Sequence, residues 1–231
     1  MTDDLRVNDF AIRSFRDVAD EDYISARLAF RAALVEPSLW ASQQALEKYL
    51  KCILLLNRIP GKNVKHNLRV ALNAISASGK IPFELTSPTQ KFVEFIDEFG
   101  PFRYLEISNV AFGRHLTYLD RAVWELRRYC SLSEEHKRTK LCQGVIPPKI
   151  RLDGGHLEAV MDDINNPARE PLLWQNAFFG ARSRRIVKRN PWFKATNAPL
   201  YLYPQMLDEI LKYVHLQDRV IAGYRAHKPP N

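Results

Sequence analysis

The longest unbroken pattern of apolar and polar positions runs from Ser38 to Asn57, SLWASQQALEKYLKCILLLN. It holds no Gly and no Pro and is long enough for about five helical turns. Trp40, Leu46, Tyr49, Leu50, Ile53, Leu54 and Leu56 form an apolar stripe wide enough for a central helix. Ser38 is placed to cap it, and Pro37 separates it from a helix upstream. Threaded through the stripe is a polar set, Gln43, Gln44, Glu47, Lys48 and Lys51. Glu47 and Lys51 stand at i and i+4, so they can pair on one face, and periodicity alone reads that face as solvated.

The same spacing predicts the other elements. Residues 1–15 read as a loosely held arm. A first helix is expected from Asp17 to Glu36, with Ala19, Tyr23, Ala26, Phe30, Ala33 and Leu34 near helical spacing. Pro60 and Gly61 mark a loop. A third helix follows from Asn67 to Ser78, closed by Gly79. Ser87-Pro88 opens a fourth, carrying Phe92, Phe95, Ile96 and Phe99 up to Gly100-Pro101. The last long helix runs from Arg114 to Tyr129. Four or five helices joined by short loops imply an all-α antiparallel bundle.

Residues 133–150 are polar and charged and end in Pro147-Pro148, and they read as a linker. The expected organisation is a bundle over 1–132 and a small basic domain over 151–231. That second part is mostly helical, with a helix from Asp153 or Gly154, one from Asn166-Pro167 closed by Gly180, and one opened by Pro204. Leu200 to Tyr203 is the one candidate for a short strand.

The chain has 231 residues and a net charge of +8. Residues 131–231 carry 16 Lys and Arg against 10 Asp and Glu, while residues 1–130 carry 18 against 16. The C-terminal part is therefore the electropositive one, which favours a polyanionic partner, RNA or DNA first. A composition 46% hydrophobic and 26% charged is that of a globular protein. No apolar run is long enough to span a membrane, and the start MTDDLRVNDF lacks an apolar signal core. The three cysteines, Cys52, Cys130 and Cys142, are odd in number and far apart. They point to reduced thiols in a cytoplasmic setting, with no disulfide framework and no zinc site. No Gly-rich phosphate loop, HExxH or CxxC pair is present, so neither a metal nor an organic cofactor is expected.

The run QQALEKYLKCILLLN, followed by VKHNLRVALNAI, resembles the HEPN family of helical nucleotide-binding domains. Gln43, Gln44, Glu47, Lys48, Leu50, Lys51, His66, Leu68 and Leu72 fall on matching positions, and the resemblance covers roughly residues 15–130. It implies a bundle that pairs into a homodimer and acts on or with RNA or nucleotide, in a defence or toxin–antitoxin setting. It places nucleotide-facing positions at Lys48, Lys51, His66 and Tyr104. His66 has a second reading as a cap or bridge between helices, and Arg103-Tyr104 a second reading as a packed corner.

Many HEPN proteins are metal-independent ribonucleases, with an Arg followed after four to six residues by a His near the start of the last long helix. An Arg there can hold phosphate and stabilise the phosphorane, and a His can move a proton. In PFRYLEISNVAFGRHLTYL the positions in question are Arg103, Asn109, Arg114 and His115. Asn109 stands where His is wanted, and His115 adjoins Arg114 at a point where helical neighbours diverge by about 100°. The literal spacing occurs at Arg151 and His156, beyond the linker, and is read as coincidence. This departure leans the expectation toward a binding and dimerisation module, with a ribonuclease built on a degenerate site as the alternative.

In the second part, Arg182, Arg184, Arg185, Lys188, Arg189 and Lys194 crowd around Trp192 and Phe193. Cations can neutralise phosphates and aromatic faces can stack on unpaired bases. The competing readings are a solvated loop with its aromatics plugged into a local core, and a docking surface for a partner protein's acidic face.

Overall fold

The computed structural model describes residues 3–99, 113–131, 155–176, 178–180, 204–213, 215 and 221. Helix α1 spans Asp3–Ala11, a π-helical turn Ile12–Arg16 follows without a break, and α2 continues over Asp17–Arg31. Next come α3 (Val35–Leu56), α4 (Leu68–Ser78), α5 (Ser87–Phe99) and α6 (Gly113–Arg127). The shorter α7 (His156–Asp162), α8 (Arg169–Leu173) and α9 (Pro204–Ile210) complete the described elements. The described residues contain no strand, and the candidate strand at Leu200–Tyr203 lies outside them.

The architecture is the all-α bundle that the periodicity predicts, and α3 is its axis. It packs against α1, the π turn, α2, α4, α5 and α6. Leu46, Tyr49, Leu50, Ile53 and Leu54 are completely buried on it. Each such side chain contributes on the order of 1.5–3 kcal/mol relative to exposure. Cys52 is part of the same core.

Three expectations need correction. Residues 3–15 are not a loose arm but helical, and their Val7, Phe10, Ala11, Ile12 and Phe15 are buried. The π turn inserts an extra residue per turn and shifts the apolar face, so no single helical period spans the join. Second, α3 starts at Val35, with Pro37 inside the first turn, where its missing N–H costs nothing. Ser38 therefore does not cap; its hydroxyl donates to the Ala26 carbonyl at 3.0 Å and ties α3 to α2. Third, the polar face of α3 is not solvated: Gln43, Glu47 and Lys51 are all buried.

The first helix also ends earlier than expected, at Arg31. Leu34 N–H donates to Ala29 O at 2.9 Å and Ala33 N–H to Phe30 O at 3.0 Å, closing the turn with Ala33 at φ 59°. A β-carbon in this left-handed conformation costs about 1 kcal/mol or more. Ala33→Gly is expected to raise stability by up to about 1 kcal/mol, read as a higher urea midpoint at unchanged slope. Helix α4 follows its signals: Asn67 accepts from Val70 N–H at 2.8 Å, and Gly79 closes it at φ 60°.

The described residues from 155 onward lie against the bundle. α7 and α8 pack on α2, and α9 packs on α1. Leu157, Val160, Leu172, Phe179, Leu207 and Ile210 share the bundle's apolar core. Gly61 lets the end of this segment approach, since a β-carbon there would stand 2.1 Å from the Tyr213 carbonyl oxygen.

Candidate functional site

The residue types that could handle phosphate or a base fall in three places. The first is the start of α6. Phe92 and Phe95 are three apart on α5, and His115 and Tyr118 are three apart on α6, so each pair shares a face. The packing of α5 on α6 brings the two faces together. The Phe95 and His115 rings lie 4.8 Å apart at 45°, and Phe92 lies 6.2 Å from Tyr118. These four rings wall a cleft of about 410 Å3, completed by the exposed Ser87, Pro88 and Lys91. That volume lies within the roughly 300–1,000 Å3 of small-molecule sites. Burial lowers the His115 pKa, which favours the neutral imidazole. Lys91 has no ion-pair or hydrogen-bond partner among the described residues.

Of the other positions expected there, Arg114 lies in the first turn of α6, and Arg103, Tyr104 and Asn109 lie outside the described residues.

The second place is the polar face of α3. Glu47 accepts from Lys51 Nζ at 2.6 Å, the pairing expected from their spacing. His66 Nδ1 reaches the same carboxylate at 3.0 and 3.1 Å, bridging the loop before α4 to α3. Lys48 instead turns to Asp22 on α2, at 2.5 Å. Each of these side chains is thus already held by a carboxylate, and the two lysines turn to different ones.

The third place was not legible in the sequence: a chain of buried and partly buried ions joining α2, α6 and α7. Asp20 is completely buried. It accepts from Arg127 Nε and Nη2 at 2.8 Å, from Tyr49 OH at 2.6 Å and from Leu157 N–H at 3.2 Å. Arg127 turns its other edge to Glu158, with both contacts at 2.6 Å. One turn further along α2, Tyr23 OH donates to Asp120 at 2.6 Å, and Arg27 pairs with the same carboxylate. Arg27 Nε also donates to Pro171 O at 3.0 Å and its Nη2 to Trp174 O. Gly155 sits at φ 61° where a β-carbon would meet Arg127 and Glu158 at 2.3 Å. The spacing of Asp20, Tyr23 and Arg27 puts them on one side of α2, which is the only local signal. Their partners lie about a hundred residues away.

Burial alone would raise the Glu158 pKa, but the Arg127 charge and its hydrogen bonds outweigh it and hold the carboxyl low. A carboxylate with a depressed folded-state pKa stabilises above its unfolded value, and that gain is lost as pH falls through the folded one. Glu158→Gln is therefore expected to be less stable than the protein at about pH 7. The gap should close below about pH 4, as urea unfolding at several pH values would show.

The basic cluster Arg182, Arg184, Arg185, Lys188, Arg189, Trp192 and Lys194 lies outside the described residues. Among the described residues, no group of three or more His, Cys, Asp or Glu side chains is placed to hold a metal ion. No described helix is long and apolar enough to cross a membrane.

These elements define a helical-bundle protein with a polar central helix and an aromatic cleft at the start of its last long helix. Residues 12–109 match the family model described as the HEPN domain, so this stretch, from the π turn through α5 and to just short of α6, is a HEPN domain. Neither curated proteins nor solved structures return a match to the chain.

Proposed function

We propose that the chain is an RNA- or nucleotide-associated binding and dimerisation module built on its HEPN domain. The observation that carries the reading is the open cleft at the start of α6, the region in which the HEPN resemblance implies RNA chemistry. Lys48, Lys51 and His66 would have to exchange a carboxylate for phosphate to serve as nucleotide ligands. The cleft needs no such exchange, which makes it the first candidate. The electropositive C-terminal part would follow the phosphate backbone through Arg182, Arg184, Arg185, Lys188, Arg189 and Lys194, with Trp192 beside them. Pairing of two bundles, and a defence or toxin–antitoxin role, complete the reading.

The ribonuclease reading is kept by one observation: His115 reaches the cleft from the start of α6, neutral and able to accept a proton. The two readings separate with a labelled RNA of mixed structure in EDTA. Binding without cleavage supports the module. Cleavage that is lost in Arg103→Ala, with the fold intact, establishes the ribonuclease.

A further inference from the structure

We infer that the groove between α4, α5 and residues 81–86 docks an extended segment of a partner protein, a basic residue flanked by apolar ones, as an added parallel strand. The groove shares no lining residue with the cleft at the start of α6, and the inference does not depend on RNA binding.

The backbone supplies the first argument. Residues 81–86, IPFELT, run extended with no strand beside them among the described residues. A three-residue turn at Pro82 leads in, with Phe83 N–H donating to Ile81 O at 2.8 Å. The side chains then alternate: Ile81, Phe83 and Leu85 pack half-buried on the core, while Glu84 and Thr86 are exposed. Backbone groups of even and odd residues accordingly face opposite edges. The even edge is engaged. Glu84 N–H donates to Tyr129 OH at 3.1 Å, Thr86 N–H to Glu125 at 2.8 Å, and Glu84 O accepts from Arg128 at 2.8 Å. On the odd edge, Leu85 O accepts from Gln90 at 3.2 Å, and Gln90 lines the groove, so this edge faces it. Phe83 O and Leu85 N–H have no partner among the described residues. An acceptor and a donor two residues apart on one edge grip a single residue of a parallel neighbour, which donates to the first and accepts from the second. An antiparallel neighbour would need Phe83 N–H or Leu85 O as well, and both are taken.

Shape and charge choose the guest. The groove holds about 580 Å3, with Arg69, Leu72 and Asn73 of α4 and Glu94 of α5 on its other walls. A guest residue in register with Glu84 points its side chain to the same exposed side, and its two neighbours point inward beside Phe83 and Leu85. The inward positions therefore suit apolar side chains. The Glu84 and Glu94 carboxylates have no ion-pair or hydrogen-bond partner among the described residues. Arg69, the one cation among the lining residues, is tied to Asp97 at 3.0 Å. A cation opposite Glu84 is thus favoured and a carboxylate repelled. A polyamine would meet the carboxylates but offers no carbonyl to the Leu85 N–H. The guest is a polypeptide.

The test uses the full chain and a fluorescent peptide, Gly-Ser-Val-Arg-Val-Ser-Gly, with anisotropy at fixed salt and amide exchange as the map. The Leu85 amide should exchange fast in the free protein and slow by about tenfold or more at saturation. N-methylation of the peptide's arginine removes the donor to Phe83 O and should weaken binding by roughly tenfold. Glutamate in place of that arginine should weaken it by about fivefold, and Glu84→Lys, an exposed change, should invert the order of those two peptides.

No saturable binding of the arginine peptide up to about 1 mM would overturn the proposal. A Leu85 amide already slow in the free protein would also overturn it and assign the edge to another segment of this chain. Equal binding of the N-methylated peptide, or displacement by equimolar spermidine, would overturn it in favour of a site for small polycations. None of these outcomes bears on the affinity for RNA, so the two readings fail separately.

Discussion

Replacing Arg127 with Leu is expected to cost about 3–5 kcal/mol of stability, because it leaves a buried carboxylate without its counter-charge. Asp20 is completely buried and keeps only the Tyr49 hydroxyl and the Leu157 amide once the guanidinium is gone. Glu158 loses both of its contacts with Arg127 at the same time. Burial works against the Arg127 charge, and the two carboxylates overcome it. For a chain of this size the loss corresponds to a Tm lower by roughly 10 °C. The cause is testable with a second substitution. Asp20→Leu in the Arg127→Leu background removes the stranded charge, so the double variant should be more stable than the single one. A double variant that is worse by the sum of both changes would show that packing, and not the orphaned charge, sets the cost.

Arg27→Met is expected to free the segment that contains α8. Arg27 is almost completely buried; it pairs with Asp120 and donates to the carbonyls of Pro171 and Trp174, so one side chain holds α2, α6, α8 and the residue that follows α8. Methionine fills similar apolar volume but donates nothing. Asp120 would keep Tyr23 alone, and two carbonyls would lose their donor. The stability loss is again about 3–5 kcal/mol. Its distribution is the sharper readout. Amide exchange should rise most at residues 168–176, while the centre of α3 stays protected. A uniform rise through α3 would mean that Arg27 supports the whole bundle and not the attached segment.

Local chemistry made most of the bundle readable. Asn67 and Gly79 bracket α4 as their cap preferences require, and Ser87-Pro88 starts α5. The unbroken stripe of α3 could only be a central helix. Elements that depend on distant partners were not readable. Arg13, Arg16, Asp17, Asp20 and Arg27 look like a charged, solvated surface, yet all are buried. What makes that tolerable is pairing, locally for Arg13 with Asp9 and for Arg16 with Asp17, and across 107 residues for Asp20 with Arg127. Together with the π turn, these buried charges hid α1 from a reading based on apolar spacing.

The candidate site was half readable for a similar reason. His115 stood out by type and place. Phe92 and Phe95 read as core because they are apolar and helically spaced, and Tyr118 carried no separate signal. Only the packing of α5 on α6 turns them into a half-open aromatic wall. The polar face of α3 shows the converse. Its residue types invite a ligand, and the fold pairs Lys51 with Glu47, within reach of His66, and Lys48 with Asp22.

The most direct measurement is the affinity of the purified chain for a labelled single-stranded RNA across a salt series in EDTA, with the RNA recovered and sized at each point. A binding module predicts intact RNA and an affinity that falls linearly with the logarithm of salt, at a slope of about 0.7 per phosphate contacted. Replacing Arg184, Arg185 and Lys188 together with alanine should flatten that slope. No binding at the lowest salt would contradict the account, and shortened RNA would replace the module with a metal-independent ribonuclease.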